Sequence, residues 1–207
     1  MNDGTVELRA TQGPLLVRPN ARTIRWAALC VIGAVAALAV WTGGRKNGDP
    51  AMFALPVATT LLCVWLCFLF EDLAAETTDS TATPLAWRRA VRMAIAVPAA
   101  ACVWFAITWI RPLEGPTAAA AGSFAAQVVL ALAVAAALGR TIPGARGGLA
   151  AAGVLVFVAI VIPLWLGSPP SIEPSRPPYG TAATYWSSIA GIGIVLFVST
   201  HALPRRR

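Results

Sequence analysis

The chain has 207 residues, of which 57% are hydrophobic and 12% charged, and its mean hydropathy is +0.70. A soluble domain carries about 25% charged residues, so the composition excludes an ordinary soluble enzyme or binding domain. The net charge of +7 does not indicate nucleic acid, because the arginines sit between apolar runs, as membrane topology would place them, and form no single basic face.

In chain order, the first feature is a tail over residues 1–23. Its stretch TVELRATQGPLLVR alternates weakly around a Gly-Pro turn and fits both a small hairpin and an interfacial anchor. Six apolar runs follow, at 24–42, 51–70, 88–110, 117–138, 148–167 and 184–203. Each approaches the roughly 20 residues that a membrane-crossing helix needs. The first run contains an Ala-Leu-Ala that resembles a signal-peptide cleavage site, but 25 residues precede the apolar stretch, long for such a peptide, and it is read as a retained span. The predicted fold is all-α: a polytopic integral membrane protein with six transmembrane helices forming one domain, 1–207, with short loops.

Positive charge sets the orientation. With the N-terminus inside, twelve Lys and Arg fall on inner segments (Arg9, Arg18, Arg22, Arg25, Arg88, Arg89, Arg92, Arg140, Arg146 and Arg205 to Arg207) and four on outer ones (Arg45, Lys46, Arg111, Arg176). Both termini are therefore expected in the cytoplasm, and the protein in the plasma membrane. Tryptophans agree: Trp26 and Trp87 fall at the inner interface, and Trp41, Trp109, Trp165 and Trp186 at the outer one. Trp65 and Trp104 lie deeper and are expected to pack.

The second and third spans are separated by FEDLAAETTDSTATPLAWRRA, residues 70–90, which places Glu71, Asp72, Glu76 and Asp79 within nine residues. One charge at a bilayer centre costs roughly 2.5–3.5 kcal/mol, and four would cost about 10 kcal/mol or more, so this stretch lies in water on the cytoplasmic side. Thr83 and Pro84 read as an N-cap and a first-turn proline that start the third helix afresh. The segment is either a solvated turn or a docking element for a cytoplasmic partner.

The spans themselves hold no Asp, Glu, Lys, Arg or His near mid-bilayer, which argues against a proton- or sodium-driven carrier. The polar residues inside are Thr59, Thr60, Thr108, Ser123, Gln127, Ser187 and Ser188. Hydroxyls can bond to their own helix, so Gln127 stands out, as an interhelical hydrogen bond or as a residue of a transport pathway. The fourth span carries eleven alanines in residues 117–138 and, with Gly122 and Ser123, reads as a smooth helix that neighbours approach closely. Pro56, Pro98 and Pro163 interrupt three spans and permit kinks. Cys63 and Cys67 share one helix face, with no His or carboxylate near enough in sequence to suggest a metal site. The outer loop GSPPSIEPSRPPYG has five prolines in fourteen residues and should be stiff and extended. There is no GxxxxGK[ST], HExxH or GxSxG motif, so no catalytic residue, cofactor site or nucleotide loop is assigned to this chain.

Six spans, cytoplasmic termini and a short acidic element between spans two and three resemble the membrane subunits of ABC-2-type (type V exporter-like) transporters. FEDLAAETTDSTATPLAWRRAVR, preceded by the tail ELRATQGPLLVRPNARTIRW, is similar to segments of actinobacterial membrane proteins that work with separate ABC ATPases. The resemblance implies a permease subunit of an exporter. In it Glu71, Asp72, Leu73 and Glu76, within a coupling segment 71–83, would dock on a cytoplasmic ATPase subunit. ATP and Mg would be bound and ATP hydrolysed in that partner alone. A second membrane subunit or a second copy of the chain would complete the assembly, with the lipid bilayer as the surrounding medium and no nucleic acid involved. The alternative is a non-catalytic assembly subunit of another membrane complex.

The orientation is testable by single-cysteine labelling. With the four native cysteines replaced and Asp79→Cys introduced, a membrane-impermeant maleimide should label position 79 only after the cells are opened. Labelling in intact cells would invert the topology.

Overall fold

The computed structural model describes residues 24–43, 50–70, 85–110, 117–142, 146–165 and 179–202. These residues are helical almost throughout, with no strand among them. The helices are α1 (Trp26–Gly43), α2 (Pro50–Cys67), α3 (Leu85–Ile110), α4 (Thr117–Thr141), α5 (Arg146–Trp165) and α6 (Tyr179–Ala202). Each coincides with one predicted apolar run to within a few residues. Three are long and apolar enough to cross a membrane: Trp87–Trp109 in α3, Ala120–Thr141 in α4 and all of α5. The other three carry shorter apolar stretches, Trp26–Thr42, Ala54–Cys67 and Thr184–Ser199. The tail 1–23 and the acidic segment 71–83 lie outside the described residues.

Local chemistry sets the helix ends. Pro50 occupies the first position of α2, where a missing N–H has no helical acceptor to lose. The end of α2 tightens into a 3-10 turn over Phe68–Phe70. The third helix starts at Leu85, one residue after Pro84, as the sequence predicts. At its own end α4 closes with Ile142 N–H donating to the Leu138 carbonyl at 2.8 Å, and Pro143 follows. Valine, isoleucine and threonine are frequent in these segments although they are weak helix formers in water. In hydrocarbon a segment must satisfy its backbone internally, and that requirement outweighs propensity.

Side-chain contacts fix an up-and-down bundle. Thr60 meets Gln127 and, further along both helices, Cys67 meets Ala131, so α2 and α4 run parallel. Gly147 at the start of α5 lies on Gly139 at the end of α4, so α5 runs back. Tyr185 early in α6 meets Val158 in the second half of α5, so α6 is again parallel to α4. Trp104 stacks on Phe124 at a centroid distance of 5.2 Å near the far end of α3 and the near end of α4, so these two are antiparallel. The fourth helix is the hub. It packs most extensively on α6 and also holds α5 and α2, while α1 leans on α2 and α3. Its alanines do what the sequence suggests, since Ala126, Ala131, Ala133, Ala135 and Ala136 are all buried. At one end Trp65 Nε1 donates to the Arg25 carbonyl at 3.2 Å and joins the last turn of α2 to the first of α1.

The outward faces are apolar. Val35, Phe157 and Val195 are more than half exposed, an arrangement suited to lipid and not to water. Trp109 and Trp165 are the most exposed tryptophans, at 86% and 84%, and Trp26, Trp41 and Trp87 are also exposed, as interfacial residues should be. Trp65 and Trp104 are buried as expected. Trp186 departs from its predicted place in the outer girdle: it is 3% exposed and turned into the bundle, on the same helix face as Ile189 and Gly193.

Two glycines two residues apart, on opposite faces of α6, separate close packing from open space. A Cβ at Gly193 would stand 3.1 Å from Val129 Cγ1 and 3.4 Å from the Leu130 backbone, whereas one at Gly191 would meet nothing within 4 Å. Gly193→Val should lower thermal stability in detergent by about 1–3 kcal/mol, the usual cost of overpacking. Gly191→Ala should be neutral or gain up to about 1 kcal/mol. Equal effects would show that the α4–α6 contact is loose.

Candidate functional site: the polar core of the bundle

Polar side chains converge where α2, α3 and α4 meet. Pro56 and the two threonines after it organise the α2 side. Thr59 Oγ1 donates to the Leu55 carbonyl at 2.9 Å and accepts from Trp104 Nε1 at 3.0 Å. That relay gives a donor and an acceptor buried in an apolar medium one partner each. Trp104 also stacks on Phe124 of α4, so one indole binds three helices.

Thr60 and Gln127 form the second link. Thr60 Oγ1 lies 3.0 Å from the Pro56 carbonyl and 3.0 Å from Gln127 Oε1, and both residues are 2% exposed. The hydroxyl has one proton and serves one acceptor at a time. With the Gln127 amide turned over, Nε2 donates to Oγ1 while the hydroxyl serves Pro56, so both groups are satisfied. The Cys67 thiol reaches the Cys63 carbonyl at 3.5 Å and the Ala131 carbonyl at 4.0 Å, again joining α2 to α4. Ser123 is buried and donates to the Ala120 carbonyl of its own helix at 2.8 Å. Chemically, this core is a set of helix-to-helix ties built from hydroxyls, an indole, an amide and a thiol.

A second polar feature sits between α5 and α6. Over Phe157–Val161 the fifth helix widens into a π turn, and Ile162 N–H donates to the Phe157 carbonyl five residues back. Pro163 follows, without an N–H to give. The Val158 carbonyl is thus left without its helical donors: residue 162 has gone to Phe157, and residue 163 is proline. Tyr185 of α6 fills the gap, its hydroxyl donating to Val158 O at 2.6 Å. A proline-induced break in one helix is closed by a phenol from another.

Of the candidate docking and pathway residues named from sequence, Gln127 alone lies within the described residues, and it makes an interhelical bond with Thr60. Glu71, Asp72, Leu73 and Glu76 lie outside them. Arg92, about two turns into α3, is 8% exposed and lies on the inner face with Ala96, Ala100 and Trp104. Sequence reasoning missed Tyr185 and the Trp104–Thr59 link. A tyrosine inside an apolar run, with a proline in the preceding span, was the available signal for the first. Comparison with family models, with curated proteins and with solved structures finds no match to this chain.

Tyr185→Phe should destabilise the protein by about 1 kcal/mol, because it strands a buried carbonyl. Pro163→Ala restores a donor, so the same Tyr185→Phe change made in that background should cost clearly less. Thermal unfolding of the four proteins in detergent gives the cycle, and additive effects would break the link between proline and tyrosine.

Proposed function

We propose that this chain is the permease subunit of an ATP-binding cassette transporter, an exporter, with six helices crossing the plasma membrane and both termini in the cytoplasm. It binds no nucleotide and takes its energy from a separate ATPase that docks on residues 71–83. The observation that carries this reading is the placement of the 3-10 turn Phe68–Phe70. It immediately precedes Glu71 and packs against α3, α4 and α5 as well as α2, with Leu69 buried. A push on the acidic segment therefore reaches four of the six helices through a short apolar lever. At the other end of the segment the chain enters α3 at Leu85, and Arg88, Arg89 and Arg92 follow, each engaged with a partner group. Movement of the segment tilts α2 and α3 together.

A second reading is favoured by the polar core, whose hydroxyls and amide are spent on helix contacts. Such an interior suits a static assembly subunit of a larger membrane complex. The two readings differ in whether α2 and α3 move when ATP is supplied to the complex.

The docking test reverses charge at Glu71, Asp72 and Glu76 to lysine in the full chain, purified with its native partners. The variant should insert and run as a single species in gel filtration, because the segment lies in water. It should lose the ATPase, identified by mass spectrometry, by more than about 30-fold, the equivalent of the roughly 2–5 kcal/mol that truncating a buried interfacial charge pair costs. Retention of the ATPase at the wild-type level would reduce the segment to a solvated turn.

A further inference from the structure

Contacts between helices set the apolar spans of α3, α4 and α5 on one midplane. The α3 span Trp87–Trp109 is centred on Pro98, the α4 span Ala120–Thr141 between residues 130 and 131, and α5, Arg146–Trp165, between residues 155 and 156. A Cβ on Gly147 would lie 3.2 Å from Gly139 Cα, and the centres of α5 and α4 are equally far from that contact (155.5 − 147 and 139 − 130.5). Trp104 bonds to Thr59. Six residues from that bond, toward the start of α3 and the end of α2, lie Pro98 and Trp65 (104 − 98 and 65 − 59). The Thr60–Gln127 and Cys67–Ala131 contacts bring the α4 centre level with the same part of α2. Trp65 therefore stands at the middle of all three spans, and its Nε1 donates to the Arg25 carbonyl at 3.2 Å.

Arg25 is thus pinned at the depth of the span centres, away from the other arginines. Arg88, Arg140 and Arg146 lie about 14–15 Å from that plane at 1.5 Å per residue, the half-thickness of a hydrocarbon core and further than an arginine side chain reaches. Arg25 is exposed on the outside of the bundle, with Trp26 and Ala27 exposed beside it. Its guanidinium makes no hydrogen bond or ion pair with the described residues, which include no Asp or Glu. A guanidinium at this depth is tolerated where headgroups and water are drawn in to meet it. The sequence just before it, Arg-Pro-Asn-Ala-Arg-Thr over residues 18–23, is also too polar for hydrocarbon. A single acid on a neighbouring subunit would answer one charge, whereas a dip in the headgroup layer answers the whole stretch.

We propose that Arg25 binds the phosphate of a phospholipid from the leaflet that Arg88, Arg140 and Arg146 face, drawn to the level of the bilayer centre, so that the membrane is thinned beside α1. The planar fork of the guanidinium matches a phosphodiester through two parallel hydrogen bonds. The inference rests on α3, α4 and α5 crossing the bilayer and is independent of the transporter reading.

The test uses the full chain, its four native cysteines replaced, in phosphatidylcholine vesicles. A fluorophore is attached through Ala27→Cys beside Arg25 or, as the reference, through Val154→Cys, an exposed position near the centre of α5. Phosphatidylcholine with a nitroxide on its headgroup should quench the probe at 27 and spare the one at 154. A nitroxide at the end of an acyl chain should quench the probe at 154. Arg25→Gln should lower the headgroup quenching at 27 to the level seen at 154, and Arg25→Lys, which keeps the charge, should retain part of it. Inorganic phosphate in the buffer should change nothing. Circular dichroism and gel filtration establish that the variants are folded. Headgroup quenching at 27 no greater than at 154 overturns the proposal, as does quenching at 27 that survives Arg25→Gln. Relief of the quenching by inorganic phosphate also overturns it, because the ligand would then be a free ion. A probe at 154 untouched by the acyl-end nitroxide removes α5 from the bilayer and the proposal with it.

Discussion

A peptide group in hydrocarbon has no water to fall back on, and this constraint shapes the molecule more than any side-chain preference. It makes every described segment a helix, including those rich in valine and threonine. It also turns each proline into a local problem that needs a local solution. At Pro163 the solution has three parts: a widened turn that passes one N–H back to Phe157, a carbonyl left over at Val158, and a phenol that comes across from α6. The same logic governs the core, where Thr59 and Thr60 bond back to the carbonyls of Leu55 and Pro56 before they offer anything to α3 or α4.

Association between the helices follows from a second consequence of the apolar medium. Burial against a neighbour gains little over burial in lipid, so close contact and the occasional hydrogen bond must supply the attraction. Gly193 against Leu130, Gly147 against Gly139 and the alanines of α4 provide the close contact. Thr60–Gln127, Trp104–Thr59 and Trp65–Arg25 provide the bonds. The hub is therefore the helix with the smallest side chains, and the large residues are displaced to the outer faces.

These two consequences explain what the sequence discloses. Apolar runs with charged or proline-rich breaks locate the six described helices, three of which are long and apolar enough to cross a membrane. Gln127 is legible because an amide in such a run has few fates. Which face a residue occupies is far harder to read. A run that is apolar all round has almost no periodicity to orient it, so Trp186 reads as an interfacial residue and is in fact buried against the interior. The Tyr185–Val158 bond depends on which carbonyl a π turn releases, and that depends on the register of two helices 27 residues apart in the chain at this contact. The acidic segment is legible as an anomaly of charge, which places it in water and says nothing more.

The pairing of α4 with α6 has a consequence for synthesis. These two helices are parallel, so the chain must cross back through α5 before the partner of α4 exists. From Thr141 to Ala202 the ribosome adds about sixty residues, which takes several seconds at roughly 5–20 residues per second. Throughout that interval the α4 surface beside Val129 and Leu130 has no α6 against it. A Cβ at residue 193 would meet that surface at 3.1–3.4 Å, so closing the bundle on any side chain there requires the α4 neighbours to give way.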